Sequence, residues 1–222
     1  MRKAVEQLIE RHPALAECAE SVEAMITLAE QTYERGGTLF ACGNGGSAAD
    51  ADHICGELLK GFLLKRPVSE DAIKEFESGF GAEGVEIAGK LQGGLRAVSL
   101  LSHSAFLSAF ANDVDPDLMF AQQLWALGRS GDILLAMSTG GNASNVRKAL
   151  MTARVKGIKS VLLTGNRHGC CEEYADCVVA VPEKETFKIQ ELHLPVYHGA
   201  RRPGADRDPG GGRIRPQSGH LA

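Results

Sequence analysis

Hydrophobic residues occur at helical spacing near the start of the chain and in short apolar runs after residue 37. The helical spacing predicts helices over residues 2–11 and 14–35, separated at Pro13. The short runs predict five strands, at 38–42, 95–100, 132–137, 158–164 and 177–181. The stretches between and after them predict four helices, at 101–111, 118–127, 143–156 and 186–197. This alternation predicts a doubly wound α/β fold, in which helices cover both faces of a parallel sheet.

Residues 61–94 break this alternation, because they combine Pro67, a charged stretch and repeated glycines. The segment is longer than ordinary connections between elements. It is therefore predicted to be an irregular lid or interface loop with some helix. The N-terminal helices precede the first strand, so we expect them to cover one face of the sheet or to meet a second subunit.

The composition limits the classes of function. A chain of 222 residues with 44% hydrophobic content can bury a core in one domain, or two at most. The formal charge is −4, but residues 199–222 contain five Arg and two Asp, so that stretch carries +3 and the remainder −7. An acidic body argues against general nucleic-acid binding.

Neither a membrane nor an oxidising compartment is indicated. No apolar run approaches the roughly 20 residues that cross a bilayer, and no signal-peptide apolar region follows Met1. The six cysteines include no C-x-x-C pair, and a chain of this size does not need disulfides to fold. These features predict reduced thiols and a cytoplasmic protein.

A glycine turn at residues 43–47 joins the first strand of the predicted sheet to a helix of small residues. Its glycines keep side chains away, so backbone N–H groups can point at an anion, and Ser47 adds a hydroxyl. A plain tight turn is the alternative. A dinucleotide fingerprint is disfavoured because the next strand begins too far along the chain, and a P-loop is disfavoured because no Lys-Ser or Lys-Thr follows.

His53 and Glu57 are four residues apart in the helix that follows this turn, so they share one helix face. A histidine and a carboxylate on one face can bind a metal or transfer a proton. A surface pair at helical spacing is the alternative.

A second turn, residues 138–142, follows another predicted strand and also combines glycines with hydroxyl groups. Ligands of open α/β sheets bind beyond the carboxyl ends of strands, where the strand order reverses. Two such turns at neighbouring strand ends would hold one phosphorylated small molecule. Two unrelated turns are the alternative.

Taken as a set, the motifs at 41–51, 111–113, 128–132, 138–139 and 189–193, with His53 and Glu57, resemble the sugar isomerase (SIS) domain family, and within it enzymes that act on seven-carbon sugar phosphates. The resemblance extends to about His198. It implies a three-layer α/β/α, flavodoxin-like fold and a homotetramer with active sites between subunits. It also implies isomerisation of sedoheptulose 7-phosphate to D-glycero-D-manno-heptose 7-phosphate, which feeds nucleotide-activated heptose and lipopolysaccharide biosynthesis.

The resemblance also implies roles for individual residues. Glu57 would be the base and His198 the acid of an enediol proton transfer. Zinc would be held by His53, Glu57, Gln190 and His198. Substrate would be bound by Asn44, Gly45, Gly46, Ser47, Glu57, Asn112, Asp113, Ser138, Thr139, Gly140 and Gln190.

The spacing of Gln190 and His198 adds an inference from geometry. Eight residues of straight helix separate them by about 12 Å, which is too far for one small ion. Either Pro195 bends the segment, or the two residues serve sites shared between chains. We expect the second arrangement, which makes activity depend on oligomerisation.

The chain departs from the family pattern at Gly140 and Ala143, which lack the usual hydroxyls, and at Phe187, where an acidic residue is usual. We divide the chain into N-terminal helices (1–36), a SIS domain (37–198) and a Gly/Pro/Arg-rich tail (199–222). The tail is predicted to be disordered, and a shifted reading frame in the coding sequence is one hypothesis for its unusual composition. These departures leave two alternatives open. One is a non-catalytic SIS module that binds a sugar phosphate or a protein such as DnaA, and the other is an enzyme for a different sugar phosphate.

Overall fold

The computed structural model describes residues 1–61 and 66–200 of the chain. Its strands are all parallel and form one sheet. They are β1 (Leu39–Cys42), β2 (Ala97–Ser99), β3 (Ile133–Met137), β4 (Lys159–Gly165) and β5 (Cys177–Val181). The strand order is β2-β1-β3-β4-β5, which is the flavodoxin-like order. The predicted fold class is thereby confirmed.

Eight α-helices in the described residues surround this sheet. They are α1 (Lys3–Arg11), α2 (Ala19–Glu34), α3 (Gly46–Leu59), α4 (Glu70–Lys90), α5 (Ser104–Asp113), α6 (Met119–Leu127), α7 (Ser144–Lys156) and α8 (Thr186–Ala200). Three short 3₁₀ helices lie at Pro13–Cys18, Pro116–Leu118 and Glu172–Tyr174.

Successive side chains of each strand point to opposite faces of the sheet, so they pack into two separate hydrophobic cores. Ala41 and Leu135 face the core formed with α1, α2, α3 and α8. Phe40 and Leu134 face the core formed with α6 and α7. The N-terminal helices therefore cover one sheet face.

The direction in which the chain leaves each strand indicates where a ligand would bind. β1 leads into α3 on one face of the sheet, and its neighbour β3 leads into α7 on the other. The chain therefore leaves these two adjacent strands in opposite directions. This is the topological switch point at which open α/β sheets bind their ligands.

The prediction of an irregular segment over 61–94 is wrong for most of its length, because α4 occupies 21 residues of it. Ser69 caps this helix by accepting a hydrogen bond from the Ala72 N–H at 3.2 Å. The helix breaks at Gly81, where φ is +60°, and a Cβ at Gly84 would lie 2.0 Å from the Phe76 carbonyl oxygen. The glycines that suggested a loop thus permit a break and a close helix contact.

The C-terminal helix also differs from expectation, because α8 continues through Pro195 to Ala200. Proline removes one N–H donor, yet Val196 and Tyr197 on its far side remain buried in the core with α3. Most of the predicted tail, residues 201–222, lies outside the described residues.

Two further features bear on the compartment of the protein. None of the helices described here is long and apolar enough to cross a membrane. All six cysteines are free thiols, and only Cys170 is exposed. Burial raises the pKa of the Cys42 and Cys55 thiols to about 12, so these two residues are unreactive core thiols.

Candidate active site

The turn between β1 and α3 has little room for side chains. A Cβ at Gly43 would lie 2.8 Å from the Cβ of Ser47, and one at Gly46 would lie 2.6 Å from Nε2 of Gln190. Gly45 instead meets no neighbour but has φ +56°, which favours glycine. Gly43 is therefore required by packing and Gly45 by backbone conformation, whereas a side chain at Gly46 would displace that of Gln190. Ser47 is buried where α3 begins.

The turn between β3 and α7 is held by the loop that follows β4. Asn142 Oδ1 accepts a hydrogen bond from the Cys170 N–H at 2.9 Å. Gly141 has φ +65°, and a Cβ there would lie 2.9 Å from the Cα of Gly169. The end of this turn is therefore fixed by packing, like the first turn.

The beginning of the second turn is less crowded. Ser138 is buried, and its Oγ accepts a hydrogen bond from the Ala143 N–H at 3.4 Å. Thr139 is half-buried, and a Cβ at Gly140 would meet open space. Packing therefore does not explain why Gly140 lacks a side chain.

An amide pair connects the two turns. Asn44, in the first turn, and Asn145, in the first turn of α7, each donate Nδ2–H to the other's Oδ1 at 2.9 Å. The strands below are hydrogen-bonded neighbours, with Cys42 opposite Ala136. The two predicted ligand-binding turns thus lie side by side at the switch point.

Three titratable side chains from α3 and α8 meet, and we call them the acid–base cluster: His53, Glu57 and His198. The Nε2 of His53 lies 3.1 Å from Glu57 Oε1, and the Nε2 of His198 lies 3.7 Å from Glu57 Oε2. One ligand atom from each residue lies within 4.8 Å of the others. Glu57 is 9% exposed, whereas His53 is 45% exposed, so the carboxylate lies deep and one imidazole faces solvent.

The acid–base cluster has the donor chemistry of a metal site. Two imidazole nitrogens and a carboxylate are ligands that zinc accepts, and each carboxylate oxygen faces an imidazole nitrogen. The residues present therefore fit a bound divalent cation of this class. The same atoms can also exchange protons, because the imidazole and carboxylate lie within reach of one another.

The positions of Gln190 and His198 follow from the way α8 lies along α3. Gln190 lies against Gly46 at the start of α3, whereas His198 lies against Glu57, eleven residues further on, or about 16 Å along a helix. His198 therefore reaches the acid–base cluster within one chain. The expectation that Gln190 and His198 serve sites shared between chains is unnecessary for His198 and stays a prediction for Gln190.

The two remaining predicted substrate ligands lie at the end of α5. The Nδ2–H of Asn112 donates to Oδ1 of Asp113 at 2.8 Å, and both side chains are exposed. Within the described part of the chain, no hydrogen bond connects either residue to the turns or to the acid–base cluster. Their roles in binding substrate stay predictions.

Sequence reasoning missed two residues that contact the acid–base cluster. The Tyr197 hydroxyl donates to Oδ1 of Asp50 at 2.9 Å and lies 3.5 Å from Nδ1 of His53. Burial, followed by the hydrogen bond and charge of Asp50, raises the pKa of Tyr197, so the phenol stays protonated. The available signal was the position of Asp50, one helical turn before His53 on the same face.

His193, which belongs to one of the family motifs, is a structural residue. It is fully buried, and its Nε2 lies 3.2 Å from the Thr164 carbonyl oxygen. Burial lowers the pKa of His193, so the neutral imidazole can donate to that carbonyl. Phe187 is 56% exposed near the start of α8.

Comparison with known proteins identifies the class to which this fold and site belong. The model of the SIS domain matches residues 2–99, which include the first turn, His53 and Glu57. The phosphoheptose isomerase of Synechocystis is 35% identical over 178 residues, covering 80% of this chain and 78% of that protein. The phosphoheptose isomerase of Thiobacillus denitrificans is 36% identical, covering 81% of this chain and 80% of that protein.

Solved structures give the same result. Phosphoheptose isomerase GmhA from Neisseria gonorrhoeae aligns with a TM-score of 0.68 and 30% identity, covering 88% of this chain and 91% of that one. A phosphoheptose isomerase from Francisella tularensis aligns with a TM-score of 0.70 and 25% identity at the same coverage. The fold is that of a SIS-domain protein. On these identities, the chain belongs to the phosphoheptose isomerase family.

Proposed function

We propose that the protein isomerises sedoheptulose 7-phosphate to D-glycero-D-manno-heptose 7-phosphate, the precursor of a nucleotide-activated heptose for lipopolysaccharide biosynthesis. One observation carries this proposal. In a chain of the phosphoheptose isomerase family, both oxygens of the buried Glu57 carboxylate face imidazole nitrogens. An aldose–ketose isomerase needs such a base next to a group that can return a proton.

The two turns are proposed to hold the substrate. The 7-phosphate is assigned to the turn at the start of α7, where backbone N–H groups and the helix dipole favour an anion. Ser138, Thr139 and Gly140 would contact it there. The first turn, with Asn44, Gly45, Gly46 and Ser47, would hold the sugar together with Gln190, Asn112 and Asp113.

Glu57 is proposed to remove the proton from C1 of the ketose. The electron pair of the broken C1–H bond forms the C1–C2 double bond, and O2 takes a proton to give the enediol. His198 is the group that supplies and withdraws protons at the oxygens. Loss of the O1 proton then reforms a carbonyl at C1, and C2 receives a proton, which gives the aldose with no net change in atoms or electrons.

Zinc is proposed to be held by His53, Glu57, Gln190 and His198. When bound, it would supply positive charge close to the two substrate oxygens on which negative charge develops. The acid–base cluster supplies three of these ligands, while Gln190, which lies against Gly46, would have to come from a second subunit. Glutamine oxygen is an uncommon zinc ligand, which makes Gln190 the ligand most in need of direct testing.

A homotetramer in the cytoplasm is proposed as the working form, with active sites between subunits. The exposed apolar side chains of α4, Phe80 (68%), Val85 (44%) and Ile87 (40%), support contact with another copy. The free thiols support a reducing compartment. Light scattering would test the assembly, and a monomer with full activity would contradict it.

The function is tested by incubating the protein with sedoheptulose 7-phosphate, with and without a chelator. We expect turnover that the chelator abolishes and that added zinc restores. A protein that binds the sugar phosphate but never turns it over, with any divalent metal, would contradict the proposal. That result would favour the non-catalytic module, for which binding to DnaA is then the assay.

A further inference from the structure

The environment of His53 differs from that of a surface histidine in having a fixed partner on each ring nitrogen. Nε2 faces Glu57 Oε1 at 3.1 Å, and Nδ1 faces the Tyr197 hydroxyl at 3.5 Å. The ring also lies edge-on to the rings of Tyr197 and His198, with centroids 6.0 and 5.5 Å away. Its orientation is therefore defined from both ends.

Counting donors shows which tautomer of the neutral His53 ring can hydrogen-bond to Tyr197. A tyrosine hydroxyl has one hydrogen, and that of Tyr197 is directed to the Asp50 carboxylate at 2.9 Å. The phenol oxygen can therefore only accept from His53, which it does when Nδ1 carries the hydrogen. The lone pair of Nε2 then points at the Glu57 carboxylate. In the other tautomer, Nε2–H donates to Glu57.

Two acceptors that face each other at 3.1 Å repel unless a proton or a cation lies between them. A bound cation would therefore select the tautomer in which Nδ1–H donates to Tyr197, and the Asp50–Tyr197 pair would stabilise His53 as a ligand in that state. Histidines that bind metals commonly donate their other N–H in this way, and loss of the outer partner typically costs about 10–100-fold in metal affinity.

We propose that Tyr197, oriented by Asp50, is a positioning residue that accepts the Nδ1–H of His53 when a cation is bound and so keeps Nε2 directed into the acid–base cluster. The inference deepens the proposed function, because it rests on a cation being bound at this cluster. Tyr197 itself touches neither the substrate nor Glu57 in this role. It acts through the ring of His53.

The test is Tyr197→Phe, which keeps the ring and removes the hydroxyl. A matched control is Tyr33→Phe, because Tyr33 is also buried and lines the same small apolar cavity of about 50 Å³ as Tyr197. Within the described residues the Tyr33 hydroxyl has no hydrogen-bond partner, so its removal should leave both folding and metal binding unchanged.

The first readout uses ¹⁵N-histidine-labelled protein loaded with zinc, the state in which Nδ1 of His53 would carry the hydrogen. Because the Tyr197 hydroxyl would accept that hydrogen, we expect the Nδ1–H of His53 to exchange slowly with water in the wild type and in Tyr33→Phe. In Tyr197→Phe it should exchange faster. The His53→Gln variant assigns the resonance. An unchanged exchange rate in Tyr197→Phe would overturn the inference, while leaving the proposed isomerase unaffected.

The second readout is the affinity for zinc alone, measured by competition with a chromophoric chelator. Tyr197→Phe should bind zinc about 10–100-fold more weakly than the wild type and Tyr33→Phe. Asp50→Asn, which keeps an acceptor for the phenol, should show a smaller loss. Equal affinities in all four proteins would overturn the inference. Absence of zinc binding in the wild type would overturn both the inference and the proposed metal site.

Discussion

The two turns at the switch point occupy equivalent places, yet they differ in how much freedom packing leaves them. The first turn has no room at Gly43, and at Gly46 an added Cβ would displace the side chain of Gln190. The second begins with open space at Gly140. The first turn is thus constrained by its neighbours at Gly43, whereas the turn assigned to the phosphate can accept a side chain at Gly140 without disturbing the fold.

The open space at Gly140 explains why the fold tolerates a departure from the family pattern at this position. A missing hydroxyl at Gly140 costs binding to a charged phosphate but costs the folded chain nothing. Any larger residue at Gly43 would clash with Ser47 and lower the stability of the folded protein. The predictions below separate these two kinds of constraint.

The largest effect is expected on the acid–base cluster. Glu57→Gln keeps the size of the side chain but removes the base, so kcat should fall by about 10²–10⁴-fold. The measurement is the initial rate with sedoheptulose 7-phosphate at saturating zinc. Glu20→Gln on the exposed face of α2 is the matched control and should retain full activity. A Glu57→Gln protein with wild-type kcat would remove Glu57 from the mechanism.

The next largest effect is a difference in the free energy of unfolding between variants of the two turns. Gly43→Ala places a Cβ 2.8 Å from the Cβ and the backbone of Ser47, so unfolding in urea should show a loss of about 1–3 kcal/mol. Gly140→Ala places its Cβ in open space and should change the free energy of unfolding by no more than about 0.5 kcal/mol. Equal losses in the two variants would contradict the difference between the turns.

Adding a hydroxyl to the second turn should improve binding. A hydrogen bond to a charged group is worth about 1.5–3 kcal/mol, so Gly140→Ser should lower KM for the sugar phosphate by about tenfold or more. Gly140→Ala controls for the added carbon and should leave KM unchanged. If the two variants have the same KM, the phosphate is not bound at this position.

The smallest effect concerns the bridge between the turns. Asn44 and Asn145 exchange two exposed hydrogen bonds, so a double-mutant cycle with alanine should give a coupling energy of about 0.5–1.5 kcal/mol in unfolding. A coupling of zero would mean that the pair does not hold the turns together.

Much of this arrangement could be predicted from the sequence, because short sequence patterns determine it. Apolar runs that end in glycine turns mark β1 and β3, and the i, i+4 spacing places His53 and Glu57 on one face of α3. The resemblance to the SIS family supplied His198 and Gln190 as partners of that face.

The rest depended on contacts between distant segments. Glycines near Gly81 lowered the expectation of helix for α4, although the same residues allow its break and its close packing at Gly84. The bond between Asp50 and Tyr197 joins residues 147 positions apart, which no local pattern reveals. Helix α8 continues past Pro195 because residues beyond it are held in the core.

The most direct test of the central claim is to run the isomerisation in D₂O to equilibrium and to examine C1 and C2 by ¹H NMR. If Glu57 transfers protons through an enediol, both sugar phosphates should carry deuterium at these carbons after many turnovers, and Glu57→Gln should show exchange at least 100-fold slower. Equilibration of the two sugars by the wild-type protein with no deuterium at either carbon would contradict the account.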